Sequence, residues 1–101
     1  MILRIWRGYA DPSRPDDYPD HFRNAVVPEL GTIAGFVGAE LTRQVLPERI
    51  IFTVISRWQT MEAVKAFAGE DIGRAVVHPA AAATLAGFDD EVEHHEVIVR
   101  S

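Results

Sequence analysis

Residues 52–69 read FTVISRWQTMEAVKAFAG, and this stretch decides the fold because it joins a buried strand directly to a capped helix. The strand, RIIFTVISRW at residues 49–58, carries large apolar side chains at both even and odd positions. Because side chains alternate between the two faces of a strand, this pattern is typical of a central strand that is covered on both faces. Thr60 is suited to capping the helix that follows, and Gly69 is suited to ending it.

The first half of the chain has the same order of elements. Residues 2–9, ILRIWRGY, are again apolar on both faces and predict a second central strand. A helix is expected to begin near Pro15, because proline followed by acidic residues favours a first helical turn. Its apolar stripe consists of Tyr18, Phe22, Val26 and Leu30. Pro28 lacks an N–H and clashes with the preceding turn, so we expect the helix to kink or restart there.

Three further segments complete the pattern. Residues 35–46 alternate loosely between apolar and polar side chains, which predicts a half-exposed edge strand. After His78 and Pro79, the alanine-rich residues 80–85 predict a short helix. Residues 88–99, FDDEVEHHEVIV, are expected to form the last strand.

This order of elements predicts an α+β fold with a ferredoxin-like βαββαβ antiparallel sheet, in which the first and third strands are central. The helices of such a fold cover only one face of the sheet. The other face would expose aliphatic and aromatic side chains, so it needs a ligand-filled space or a second subunit. We therefore expect a homodimer in which two sheets face each other.

Composition excludes several classes of function. The 101 residues are enough for one domain, residues 1–101, with a core of its own. A formal charge of −5 and a single lysine, Lys65, argue against nucleic acids and anionic membranes as partners. Without cysteine there is no disulfide, thiolate nucleophile or cysteine metal site. Charge interrupts the N-terminal apolar run at once, so we expect no signal peptide or membrane span and a cytoplasmic location.

Three segments of the sequence resemble a known family: PELGTIAGFVGAEL at 28–41, FTVISRWQTMEAVKAFAG at 52–69 and AVVHPAAAATLAGFDDEVEHHEV at 75–97. In order and spacing they resemble the antibiotic-biosynthesis-monooxygenase-like family over residues 2–98. The resemblance implies a dimeric α+β barrel with a pocket between each sheet and its helices. It also implies a range of activities, since some relatives oxidise polycyclic phenols with molecular oxygen and no cofactor, some bind and degrade haem, and many have no assigned activity.

Four residues are predicted to carry the chemistry. His78 precedes Pro79, where its imidazole can point into a pocket as a base, a hydrogen-bond donor or a haem ligand. Arg7 and Arg57 lie in the predicted central strands, where a guanidinium can hold a phenolate or carboxylate. Tyr9 is the alternative to His78 for relaying a proton. The competing interpretations are that His78 caps the helix or packs beside Pro79, and that the arginines form salt bridges at the dimer interface with Glu40, Glu93 or Glu96.

Aromatic side chains are predicted to hold a planar substrate. The predicted substrate-binding residues are Trp6, Tyr18, Phe22, Trp58 and Phe67. At these spacings aromatic residues more often belong to an ordinary core.

The other histidines do not suggest a metal site. His94 and His95 are adjacent in a strand, so they point to opposite faces and cannot chelate one ion together. We expect them to be solvated polar side chains. His21 follows Asp17 by four residues on the first helix, which favours a surface ion pair over a role in the pocket.

Together these observations predict a cofactor-independent monooxygenase that acts on a small hydroxylated aromatic or quinol-type molecule. The alternative is a haem-binding or haem-degrading protein with His78 as axial ligand. Haem-degrading relatives carry a tryptophan in the helix before that histidine and an asparagine in the first strand, whereas this chain has Phe67 and Arg7. A third possibility is a non-catalytic dimer that binds a small hydrophobic metabolite. No catalytic triad, glycine-rich phosphate loop or HExxH motif is present.

Overall fold

The computed structural model describes all 101 residues. Its elements, in chain order, are β1 (Ile2–Ala10), α1 (Asp17–His21), a π-helical turn (Phe22–Val26), α2 (Val27–Leu30), β2 (Phe36–Val45), β3 (Ile50–Trp58), α3 (Met61–Ala68), α4 (Pro79–Ala82), β4 (Gly87–Phe88) and β5 (Glu93–Glu96). No helix combines the length and the apolar character that crossing a lipid bilayer requires.

The sheet has the predicted ferredoxin-like topology. Its strands run in the order β2, β3, β1. The short strands β4 and β5 follow one another along the free edge of β1, and each pairs with a different part of it. Every pairing is antiparallel. Ile5 pairs with Ile55, and Trp6 pairs with Val54, in the middle of the sheet. The first and third strands are therefore central, as their apolar character on both faces predicts.

One face of the sheet holds the core under the helices. Its buried side chains come from alternate positions of β3, and Phe52 and Trp58 are among the most deeply buried residues of the chain. Phe52 packs with Tyr18 and Phe22 from the first helical segment, and Trp58 packs with Val64 of α3. The Thr60 hydroxyl accepts a hydrogen bond from Ala63 N at 3.2 Å, so α3 has the predicted cap. Gly69 ends α3 with a positive φ of 81°.

Pro28 is accommodated by a widened turn in the helix before it. The Val27 amide bonds to the Phe22 carbonyl, five residues earlier, and this places the π-helical turn just ahead of the proline. A π turn absorbs an extra residue and reorganises the carbonyls that a proline ring would otherwise meet. The predicted interruption is thus a π-helical turn within one continuous helical segment from Asp17 to Leu30.

The last part of the chain differs from the prediction. The expected strand over 88–99 is split into β4 and β5, and the expected helix over 80–85 is reduced to Pro79–Ala82. The split arises because residues 90–92 leave β1 and pair with the loop after α3. Ala75 N donates to Asp90 O at 2.8 Å, and Val92 N donates to Gly73 O at 2.9 Å. This detour brings the loop over the sheet, where it becomes one wall of a cavity.

Candidate active site

A cavity lies between the helix-covered face of the sheet and the surrounding helices and loop. It is lined by Arg4, Trp6, Tyr18, His21, Val26, Leu30, Val54, Ser56, Phe67, Val76, Val77, His78, Ala81 and Val92. The volume of the cavity, measured as the space open to the centres of water molecules, is about 70 Å³. By that measure the cavity admits a few waters in this conformation, since one water needs about 10–15 Å³.

Arg4 places a buried positive charge in this apolar cavity. The residue is only 5% exposed. Its guanidinium donates from Nη1 to Ile72 O at 2.7 Å and from Nη2 to Arg74 O at 3.0 Å, and it lies 5.7 Å from the centre of the Phe67 ring. None of its partners is a carboxylate, and burial lowers the pKa of Arg4. A buried cation with only neutral partners favours an anion beside it.

His94 lies beside the guanidinium, and Ser56 is the partner of Arg4 on the neighbouring strand. Arg4 Nη1 lies 3.0 Å from His94 Nε2. A guanidinium can only donate, so Nε2 must accept and the imidazole is neutral there. Burial, followed by the charges of Arg4 and His95, lowers the pKa of His94. Ser56 is already occupied, because its hydroxyl oxygen accepts from Trp58 Nε1 at 2.9 Å. The expectation that both adjacent histidines are solvated therefore holds for His95 alone, which is exposed and lies 3.1 Å from a Glu93 oxygen.

The first helical segment supplies an aromatic wall with a polar atom that has no partner. Tyr18 is buried, and its ring packs at 5.8 Å from Trp6 and 5.6 Å from Phe52. Burial raises the pKa of Tyr18. One turn later His21 Nε2 is buried and has no hydrogen-bond partner. The predicted surface ion pair of His21 with Asp17 does not form, because Asp17 pairs with Arg14 instead.

His78 lies at the rim of the cavity. It precedes α4 in an extended conformation, and its side chain is 54% exposed. Its Nε2 lies 3.3 Å from a carboxylate oxygen of Glu29 in α2. This contact connects the loop before α4 to α2. His78 therefore reaches both the cavity and solvent.

The predicted site residues fall into three groups. Trp6, Tyr18, Phe67 and His78 line the cavity together. Phe22 and Trp58 are core residues that do not line it.

The third group lies on the opposite, open face of the sheet. Arg7 pairs with Glu93 at 3.9 Å, and Arg57 pairs with Glu40. These salt bridges are the competing interpretation that the sequence allowed for the two arginines. Tyr9 donates to Asp89 Oδ1 at 2.8 Å, a bond that raises its pKa. Within one chain the sheet separates these side chains from the cavity, so we assign them no role in it.

Two polar residues of the cavity, Arg4 and His21, are not among the site residues that the sequence predicts. Arg4 could have been found, because it lies two residues before Trp6 and side chains two apart in a strand share a face. His21 could not, since nothing local shows that one of its nitrogens is enclosed without a partner.

Solved structures share this fold. A candidate antibiotic biosynthesis monooxygenase from Caulobacter crescentus CB15 matches with a TM-score of 0.70 and 20% identity, over 97% of this chain and 90% of the other. The haem degrader MhuD from Mycobacterium tuberculosis, solved with two haems in its active site, matches with a TM-score of 0.65 and 22% identity, over 100% and 99%. A monooxygenase from Streptomyces coelicolor, ActVA-Orf6, solved with nanaomycin D, matches with a TM-score of 0.55 and 14% identity, over 99% and 92%.

At these identities the structural matches establish the fold alone. No curated protein matches the chain. The family model for antibiotic biosynthesis monooxygenase, in contrast, matches residues 1–79, which include β1, β3, α3 and most of the cavity. The chain therefore belongs to the antibiotic biosynthesis monooxygenase family.

Proposed function

We propose that this protein is a cofactor-independent monooxygenase that oxidises a small hydroxylated aromatic or quinol-type molecule with molecular oxygen. The observation that carries the proposal is Arg4, a buried guanidinium without a carboxylate partner in a cavity of aromatic and aliphatic side chains. Such a site favours a flat apolar molecule that carries negative charge on one oxygen. The anion of a phenol has that form.

The reaction needs no reductant. For a phenol with a free para position, the ring and one O₂ give a para-quinone and one water. One oxygen atom becomes the new carbonyl, and the other leaves as water with the hydroxyl hydrogen and the para hydrogen. The anion of the substrate is the species that gives an electron to oxygen, so a group that stabilises the anion assists the reaction.

Different residues of the cavity would stabilise the anion, hold the ring and accept the proton. Arg4 would stabilise the oxyanion through charge-assisted hydrogen bonds, which are stronger in a site that excludes water. Trp6, Tyr18 and Phe67 would hold the ring by apolar contact. A proton acceptor is also required, and two imidazoles line the cavity for that task, those of His21 and His78.

The cavity must widen to admit a ring. A cavity of about 150 Å³ takes benzene, whereas this one has about 70 Å³. The wall formed by the loop after α3 is the one that Arg4 holds, through Ile72 O and Arg74 O. An anionic ligand that competes for the guanidinium would weaken both bonds and so favour outward movement of that wall.

An oxygen-consumption screen with quinols and phenols tests the proposal. We expect quinone formation with about one O₂ per substrate, and a loss of about 100-fold in kcat/KM in Arg4→Met, the usual effect of removing one oxyanion donor. Arg43→Met is the matched control, because Arg43 is an exposed arginine that also donates to a backbone carbonyl. Circular dichroism at the assay temperature verifies that both variants are folded. Equal turnover by wild type and Arg4→Met would contradict the proposal.

Haem binding is the second candidate. Two imidazoles and a guanidinium in one apolar cavity are the group types that contact iron and propionates. A porphyrin does not fit the cavity of about 70 Å³ in this conformation, so we derive no step through haem. A hemin titration of wild type, His78→Ala and His21→Ala decides between the candidates. A saturable Soret shift that disappears in one variant would favour haem handling, and no specific shift would favour the organic substrate.

We further propose a homodimer through the open face of the sheet. Leu3, Ile5, Ile51 and Ile55 are only partly buried on this face, which no helix covers. The ion pairs of Arg7 with Glu93 and of Arg57 with Glu40 surround the aliphatic patch. A second copy would bury the patch and leave its charges paired at the margin, the usual arrangement of a two-fold interface.

A further inference from the structure

The polar groups of the cavity differ in whether they already have partners. Ten of the fourteen lining residues are hydrophobic, so few groups can orient a ligand. Ser56 accepts from Trp58, and Arg4 donates to two carbonyls. His78 contacts Glu29 at the rim. His21 Nε2 is fully enclosed and has no partner in the chain, and a ligand would reach it once the cavity widens.

An unpaired buried nitrogen is unfavourable for folding. Such a group loses its hydrogen bonds to water and gains none in the protein, so native structures contain few of them. The His21 ring lies 6.2 Å from the ring of the buried Tyr18, one turn earlier in α1, and this contact orients it. The side chain is therefore oriented before any ligand arrives.

We propose that His21 is the catalytic residue that accepts the hydroxyl proton of an aromatic ligand in this cavity, and that the ligand class is one with an acidic ring hydroxyl. This rests on the proposed function. In the step, the O–H bond breaks, its electron pair remains on oxygen, and the proton forms an Nε2–H bond on a neutral imidazole. The products are an imidazolium and a phenolate, and the phenolate has the Arg4 guanidinium in the same cavity.

His78 is the less suitable of the two lining histidines. Its Nε2 already has the Glu29 carboxylate as a neighbour, and its side chain is 54% exposed. A proton that it receives is exchanged with solvent at the rim. His21 Nε2 is enclosed and has no competing partner, so a proton there is shielded from exchange with solvent.

Imidazole NMR of the wild-type protein tests the assignment, with 4-nitrophenol as the probe because its phenolate absorbs visible light. The chain has four histidines, so ¹⁵N-histidine labelling gives a small spectrum. His→Gln variants assign the signals. On saturation we expect His21 Nε2 to move toward the imidazolium position while the His78 signals stay in place, and the bound probe to show phenolate absorbance. His21→Gln should weaken binding about tenfold, and the matched variant His95→Gln, at an exposed histidine outside the cavity, less than about twofold.

Three results would overturn the assignment, and they point to different errors. Saturable binding with an unmoved His21 signal would refute the role of His21 and leave the aromatic site intact. Movement of the His78 signal instead would transfer the proton to His78. No saturable binding by the wild-type protein would refute the proposed function, and the assignment of His21 would fail with it.

Discussion

Replacing Arg4 by methionine is expected to lower the free energy of unfolding by about 2 kcal/mol and to loosen the loop after α3. The side chain bonds to Ile72 O at 2.7 Å and Arg74 O at 3.0 Å. Hydrogen bonds to a charged group contribute about 1.5–3 kcal/mol each, so their loss amounts to several kcal/mol. Part of this is offset, because methionine fills similar space and removes a buried charge that has no carboxylate partner.

Urea denaturation and hydrogen exchange measure the two parts of this effect. For a domain of about 100 residues, 2 kcal/mol corresponds to a fall of roughly 10 °C in Tm. The loosening should be visible at the Ala75 amide, which donates to Asp90 O at 2.8 Å and ties the loop to the segment before β5. The control, Arg43→Met, removes a bond of 3.0 Å from an exposed arginine to Pro15 O and should change stability by less than about 0.5 kcal/mol.

The reasoning would be refuted by an Arg4→Met variant with an unchanged urea midpoint and unchanged exchange at Ala75. It would also be refuted if Arg43→Met lost as much stability, since the effect would then not depend on burial.

Three other predictions follow from single contacts. Ile5→Glu, at the centre of the open face, should convert a dimer to a species of the chain mass, 11.2 kDa, in sedimentation or light scattering. The pKa of His94 is lowered in the folded state, so below about pH 6.5 the unfolded chain binds more protons than the folded one. The free energy of unfolding should therefore fall as the pH drops through this range. A His94→Gln variant whose urea midpoint declines equally with pH would contradict this. Thr60→Ala removes the cap bond to Ala63 N and should lower stability by about 1 kcal/mol, measured by urea denaturation, whereas Thr42→Ala, at an exposed edge position, should have a smaller effect.

The sequence alone determined the topology. Apolar residues on both faces of β1 and β3 placed these strands in the centre, and the cap at Thr60 and the glycine at Gly69 set the limits of α3. These signals are local, since strand alternation and helix capping depend on residues a few positions apart. The order and spacing of three sequence segments also made the family recognisable.

The split of the last strand was not predictable, because it depends on hydrogen bonds between the loop at residues 73–75 and residues 90–92. Arg7 and Arg57 are predicted from their residue type and their expected facing, but the alternation of a strand does not reveal which of its two faces is enclosed. That face is fixed only when the helices pack, and this packing directs Arg4 inward with Trp6.

The unpaired nitrogen of His21 is the clearest case of a feature that only the tertiary structure decided. In the sequence His21 has a suitable ion-pair neighbour, and only in the folded chain is that neighbour bonded to Arg14 while Nε2 is enclosed. Whether a polar atom has a partner depends on every residue that packs around it, including residues distant in the chain. The sequence thus determined which strands and helices form, whereas the tertiary structure decided which of their polar atoms remain available to a ligand.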